Sequence, residues 1–296
     1  MKIDIHDVGH GACIVVASRD GRKVMIDCGH SSDPVWRPSI AYMFDSFETL
    51  ILSNFDEDHV SDFANLMRRH DRPAQPTGLL SNSEPTFRFI DYNQSVTAAD
   101  LAFLKPQGLG VGMARVSRHL ANVDAGHVGP VSTPDYGAMS VFSYWNPYPF
   151  LEESGNTNDI SVLTVIEETG FKLVSCGDMT ARGLRQLLTD RPVLQEVVAN
   201  AQVLIAPHHG RENGYDADVL DVISPELVVF SDKAIVHDTQ KSAQLFAQHA
   251  KGHHVSSGTG FGEMRKVVTT RNDGHIRVET LSLLGGWSVT TGVQTL

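Results

Sequence analysis

Apolar residues along the chain come in short runs, many alternating with polar positions, and glycines cut the runs apart. Short β-rich runs over 2–8, 13–18 and 23–27, the first of them alternating, are punctuated by Gly9, Gly11, Gly21 and Gly29 and predict a meander of antiparallel strands. An unbroken apolar run at 49–52 predicts a buried strand. The spacing then turns helical. Val60, Phe63, Ala64 and Met67 share a face, and Arg68, Arg69 and His70 near the end suit the helix dipole, so a helix is expected over 60–70. Another is expected over 38–47, with Pro38 in its first turn, and a short strand over 77–80. Between 82 and 136 the pattern loosens. Thr97 and Asp100 predict a boxed N-cap for a helix over 97–104, whereas Gly108, Gly110, Gly112, Gly126 and Gly129 mark loops. The chain therefore reads as a single domain, 1–296, with 83–136 as an insertion or lid. Strand patterns return at 138–145, 160–167, 171–176, 203–206 and 227–230, with helices over 180–188, 215–223 and 239–250. Strands over 267–270, 276–281 and 287–291 close the chain. Strands dominate both ends, and helices follow strands in the middle of each half. The economical architecture is two sheets face to face with helices on the outer faces.

Three polar clusters each stand at the end of an apolar strand. The first holds Asn54, Asp56, Asp58 and His59; the second is Gly177-Asp178; the third is His208-His209-Gly210. A strand end is a precise place to fix a ligand, because the sheet holds its backbone. Two carboxylates and an imidazole within a few positions repel or desolvate one another unless a cation compensates. Taken alone, Asp178 reads as a helix cap, and the paired histidines as a surface or satisfied pair. Taken together, the clusters supply mixed oxygen and nitrogen ligands for one or two divalent metals. His249, His253 and His254 lie near a Gly/Ser stretch and read as part of a solvated loop.

Composition narrows the partners. Hydrophobic residues make up 41% and charged residues 20%, as in an ordinary globular protein. The formal net charge of −11 argues against a broad basic face for long duplex nucleic acid. The three cysteines, Cys13, Cys28 and Cys176, sit in or beside apolar runs and have no paired spacing. Buried thiols are expected rather than a disulfide framework. The charged, alternating start is no secretory segment, and no run approaches the roughly 18 apolar residues of a bilayer span. A cytoplasmic protein with no membrane partner follows.

In this order the motifs resemble the metallo-β-lactamase superfamily, in the branch of the hydrolase domain of the DNA-uptake protein ComEC/Rec2. That branch's D-V-G-Q-G-D motif has Asp7-Val8-Gly9-His10-Gly11-Ala12 in its place. Its I-D-T-G strand end is matched by Ile26-Asp27-Cys28-Gly29, and its S-H-x-D-x-D-H motif by Ser53-Asn54-Phe55-Asp56-Glu57-Asp58-His59. Asn158 and Ser161, Gly177-Asp178 and His208-His209-Gly210 match later motifs, and a late S…H segment resembles Ser231 to His237.

The resemblance implies an αββα sandwich of two mixed β-sheets, with a metal site at one edge. Asp178 would bridge two metals. Asp58, His59 and one of His208 and His209 would bind one, and Asp56, with Asn54 a poor partner, the other. The metals, zinc or manganese, would lower the pKa of a water so that hydroxide is available near neutral pH. Asp58 and His237 are the expected catalytic residues, His237 donating to the leaving group or orienting a phosphate oxygen. The expected activity is a phosphodiesterase or nuclease on a nucleotide or short nucleic acid. The alternatives are an ester, thioester or lactam hydrolase, and a degenerate binding or regulatory module for a protein partner or a second copy of the chain. Asn54 in place of the motif's first histidine, Ala12 in place of a carboxylate, and Ser61-Asp62 in place of Gly-Gly after the metal motif are the departures that bear on this choice.

Overall fold

The computed structural model describes residues 1–32, 35–67, 85–125, 133–149, 157–233, 241–257, 262–281 and 286–293. Strands β1 (Lys2–Ile5), β2 (Ile14–Ala17) and β3 (Lys23–Ile26) form the expected antiparallel meander. A two-residue ribbon follows, β4 (Ser31–Ser32) with β5 (Val35–Trp36). Then β6 (Ser46–Ile51) joins β3 in parallel, and β7 (Thr86–Asp91) joins β6 in parallel. The chain crosses to a second sheet with β8 (Ser140–Trp145), β9 (Val162–Glu168) and β10 (Phe171–Ser175), all antiparallel neighbours. Strands β11 (Val203–Ile205) and β12 (Leu227–Phe230) continue it in parallel. An edge pair, β13 (His253–Ser256) and β14 (Glu263–Arg265), returns to the first sheet. β15 (Val267–Thr269) lies beside β12, and β16 (Ile276–Thr280) and β17 (Trp287–Thr291) fill the first sheet between β1 and β13. The orders are β14-β13-β17-β16-β1-β2-β3-β6-β7 and β15-β12-β11-β10-β9-β8.

Both faces of each sheet are covered, and the strand period divides the apolar residues between them. Ile14, Val16, Val24 and Ile26 meet Val162, Ile166, Leu173, Val203, Ile205 and Val229 between the sheets. Their neighbours Val15 and Met25 point the other way, onto Phe63, Leu66, Leu101 and Val116 of the helices outside the first sheet. Val174, Leu204, Val228 and Phe230 do the same on the second sheet, against Leu184, Leu187, Val219 and Phe246. Each such side chain taken from water contributes about 1.5–3 kcal/mol, so the alternation fixes register: a one-residue slip would exchange the two sets. This is the expected αββα sandwich. The three cysteines are buried and free. Among the described residues no helix is long and apolar enough to cross a membrane.

Several elements differ from expectation. The helix expected over 38–47 is a single turn, Pro38–Ala41; pairing with β3 and β7 draws residues from Ser46 onward into the sheet and buries Phe47. The helix expected over 60–70 is two short helices, Glu57–Val60 and Phe63–Leu66. Residues beyond Met67, with the strand expected over 77–80, lie outside the described residues. Gly112, read as loop, sits inside a helix, Val111–Asp124. Its bare Cα lets that helix approach residue 60, since a Cβ there would stand 2.1 Å from the Val60 carbonyl oxygen. Helix Ala98–Leu104 carries the expected capping box. His253 and His254 lie on β13 rather than in a loop, with His253 stacked on Trp287 at 3.5 Å.

Candidate metal centre

Five loops converge at one edge of the sandwich, each leaving the C-terminal end of a strand that pairs in parallel with a neighbour. β3 delivers Asp27 and β6 the stretch from Asn54 to His59. β10 delivers Asp178, β11 His208 and His209, and β12 Asp232. Such strand ends are where ligands sit in open α/β sheets.

Four of the expected residues meet. Asp58, His59, Asp178 and His209 each offer one ligand atom, and these atoms all lie within 4.8 Å of one another. His59 Nε2 stands 3.0 Å from Asp178 Oδ1, and His209 Nε2 stands 3.2 Å from the same oxygen. His209 Nε2 is also 3.4 Å from Asp58 Oδ2. These are ion-pair distances, yet the angles give no hydrogen bond: His59 Nε2, His209 Nε2 and Asp178 Oδ1 are buried with none made. A buried polar atom left so is costly, and three aimed at one place are what a cation would satisfy. The donor set, two imidazoles and two carboxylates, suits zinc and related divalent ions.

The rest of each ring is held from behind. His59 Nδ1 is 2.8 Å from Asp27 Oδ2, and Asp27 is fixed by the Ser53 backbone N–H at 2.7 Å and the Ser53 hydroxyl at 2.5 Å. His209 Nδ1 is 2.7 Å from the Ser231 carbonyl. A proton on each Nδ1 leaves each Nε2 lone pair facing the centre, the usual arrangement behind a metal-bound histidine. His208 and His209 both take left-handed φ values, 49° and 56°, in a loop pinned by the His208 N–H to the Gly177 carbonyl at 2.9 Å. Strain of this kind gathers where a site over-determines the backbone. Gly11 and Gly29 are required for another reason: a Cβ on either would lie 2.2 or 2.3 Å from the Asp58 carbonyl oxygen. The loop carrying Asp58 rests on their bare backbones.

Burial alone would raise the carboxyls of Asp58 and Asp178. The imidazoles of His59 and His209, joined at Asp58 by His10, instead hold both well below the usual carboxylate range. Burial alone would lower His59 and His209, and the surrounding carboxylates, Asp178 first, raise both. Without a metal the imidazoles thus act as counterions to the acids, and a bound cation would displace their protons.

The other expected residues lie apart. Asn54 is buried with both ends of its amide engaged: Oδ1 accepts from the Asp56 N–H at 2.8 Å and Nδ2 donates to Ser161 Oγ at 2.9 Å. Asp56 pairs with Lys105 Nζ at 2.9 Å and accepts from Thr157 Oγ1 at 3.0 Å. His208 Nε2 is 3.9 Å from Asp178 Oδ2, beyond hydrogen-bond reach. His237 falls outside the described residues. Asp178 does not cap the helix Ala181–Asp190; Thr180 does.

Residues the sequence reading passed over also reach the centre. His10 Nε2 lies 3.3 Å from Asp58 Oδ2 and 3.2 Å from Arg211 Nη2. His10 Nδ1 faces Asp232 Oδ1 at 3.8 Å, and Asp232 is paired with Arg271 at 2.8 Å. His10 occupies a motif position, but its place beside Asp58 depends on how the β1–β2 loop closes, which no local pattern reveals. Asp27 also lies in a motif, Ile26-Asp27-Cys28-Gly29, at a strand end, and that is its signal in the sequence.

No protein-family model matches the chain. Over 274 residues, covering 84% of this chain, it is 23% identical to ComE operon protein 3 of Bacillus subtilis (strain 168). The chain spans 31% of that relative's length, so what the rest of that protein does is not carried over. Solved structures with a similar fold include the metallo-β-lactamase fold protein YhfI of Bacillus subtilis, with a TM-score of 0.38 and 11% identity over 81% of this chain and 90% of that one. Zinc-bound PqqB of Methylobacterium extorquens gives a TM-score of 0.42 and 16% identity over 96% of this chain and 100% of that one. The diiron β-hydroxylase CmlA of Streptomyces venezuelae gives 0.46 and 15% over 83% and 50%. At TM-scores this low the likenesses say nothing about chemistry. The layers described above and the ComE relative bear the expected resemblance out. The layers are those of an αββα sandwich, and the sequence likeness is to the ComEC-like branch of the metallo-β-lactamase fold proteins.

Proposed function

We propose that the chain is a metal-dependent hydrolase of phosphodiesters in a nucleotide or short nucleic acid. The observation that carries the metal is the trio of buried, unsatisfied atoms, His59 Nε2, His209 Nε2 and Asp178 Oδ1, facing one another beside Asp58. A divalent ion held there would supply Lewis acidity toward a phosphoryl oxygen and lower the pKa of a water. The protein's part is positional. Asp27 and the Ser231 carbonyl fix the two imidazoles. Asp58 and Asp178 bring the negative charge that draws the ion. Arg211, beside His10 at the edge of the cluster, gives a planar cation suited to a phosphate oxygen, which favours a phosphodiester over a neutral carboxylic ester. The net charge of −11 favours a small substrate over a long duplex.

A second reading, a binding module without hydrolysis, draws on one observation: the Asn54 amide, where the motif has a histidine, is hydrogen-bonded at both ends inside the protein. Hydrolysis of bis-p-nitrophenyl phosphate and of p-nitrophenyl acetate, each with manganese and with zinc, separates the readings. Metal-dependent turnover of the diester supports the proposal. Turnover of the acetate alone removes the phosphodiester assignment, and metal binding without turnover of either favours the module.

A further inference from the structure

Asp56 and Asn54 stand where a second ion would be expected, and both are already occupied by the protein's own groups. The Lys105 ammonium is 2.9 Å from Asp56 Oδ1, and Thr157 Oγ1 donates to both oxygens of the same carboxylate, at 3.0 and 3.1 Å. The Asn54 oxygen, the only ligand atom a carboxamide has for a hard cation, accepts the Asp56 N–H, and its nitrogen donates to Ser161. From Asn54 a line of side chains runs through Asn158 to His208, at 3.5 Å for each step. That leaves Asp178 Oδ2 and His208 Nε2 facing this side, 3.9 Å apart. Two donors fall short of the three protein ligands that a zinc site with an open position takes.

Lys105 is not there by accident of a mobile surface chain. It follows helix Ala98–Leu104, whose start is fixed by the Thr97–Asp100 capping box and whose end is closed by the Lys105 N–H on the Leu101 carbonyl. The helix packs through Leu101 and Leu104 into the core outside the first sheet, so it presents Lys105 from a seated base. An ammonium is one positive charge without a Lewis-acid orbital. It balances Asp56 and does nothing to activate a water.

We propose that this centre takes a single divalent ion, on Asp58, His59, Asp178 and His209, and that the Lys105 ammonium replaces a second cation beside Asp56. The inference rests on the metal-dependent reading above. The wild-type chain, loaded with zinc or manganese and freed of excess, is expected to hold one ion per chain by inductively coupled plasma mass spectrometry. Two ions overturn the inference. Asp56→Asn is expected to retain that ion with an unchanged dissociation constant, and its loss would make Asp56 a ligand and overturn the assignment. Lys105→Met, titrated with manganese and followed by electron paramagnetic resonance, is expected to add a second, weaker binding event absent from the wild type. A single event in both proteins overturns the role given to Lys105. No ion at all in the wild type is a separate failure, that of the metal-dependent reading itself.

Discussion

Two clusters of carboxylate and imidazole draw on the first sheet, and they differ in what their partners can give up. In one, Asp4 on β1 faces Arg277 on β16 across the register of the sheet, with Arg277 Nε at 2.7 Å, Lys2 Nζ at 3.1 Å and His275 Nε2 at 3.3 Å. In the other, Asp58 and Asp178 face His59 and His209. Burial pushes the carboxyl of Asp4 up, and His275, Arg277 and Lys2 bring it well below the ordinary range. The centre's two carboxyls end in the same direction. A depressed carboxyl therefore does not mark a site. What separates the clusters is that Asp4 has permanent cations in bonding contact, whereas the centre has only imidazoles, with Asp178 Oδ1 and two imidazole nitrogens making no hydrogen bond. The Asp4 carboxylate is balanced by the chain itself, though His275 Nδ1 beside it also makes no hydrogen bond; the second cluster turns three such atoms on one another, arranged for a charge that arrives from outside.

The largest effect that tests this contrast belongs to Asp178. Asp178→Ala is expected to abolish tight metal binding and to cut bis-p-nitrophenyl phosphate hydrolysis on the order of a thousandfold, a loss of several kcal/mol of transition-state stabilisation. Asp4→Ala is expected to leave both unchanged and to lower the melting temperature instead. Equal metal loss in the two variants would erase the distinction. A smaller effect is expected from Asp27→Asn, which keeps the shape but weakens the carboxylate behind His59. Metal affinity should fall about 10–100-fold, as for other supporting partners of metal histidines, read by competition with a chromophoric chelator. An unchanged affinity would mean that Asp27 shapes the Ser53 turn and nothing more.

Much of this was legible in the chain because it is local. The meander over β1 to β3, strands β9 and β10 and the capped helix starting at Thr97 follow from short β-rich runs, glycine placement and side-chain capping, all short in range. The convergence of Asp58, His59, Asp178 and His209 was legible only through motif order, since each lies at a strand end and the sheets do the rest. What failed to show is tertiary. Gly112 looks like a loop residue until helix Val111–Asp124 needs to touch Val60 closely. Asn54 and Asp56 read as ligands, and their contacts with Ser161, Thr157 and Lys105, all distant in sequence, show only in the fold. His10 stands in a motif, but nothing local ties it to Asp58, which it reaches only when the loop before β2 folds back.

The smallest effect sharpens the contrast from the Asp4 side. The folded protein holds the Asp4 carboxyl below its unfolded value of about 3.9. Stability from its pairing is therefore fully present above that pH, and it is lost as pH falls toward the lower folded value. Arg277 and Lys2 are partly exposed, so solvent screening limits the gain, and Asp4→Asn should cost about 1–2 kcal/mol near pH 7. In urea unfolding followed from pH 7 down to pH 3, the wild type and Asp4→Asn should differ at neutral pH, and the difference should begin to narrow below about pH 4. A difference that persists undiminished at pH 3 would show that Asp4 acts through shape rather than charge. Chelator added at neutral pH should leave this difference untouched, because the bonds that stabilise Asp4 come from the chain itself.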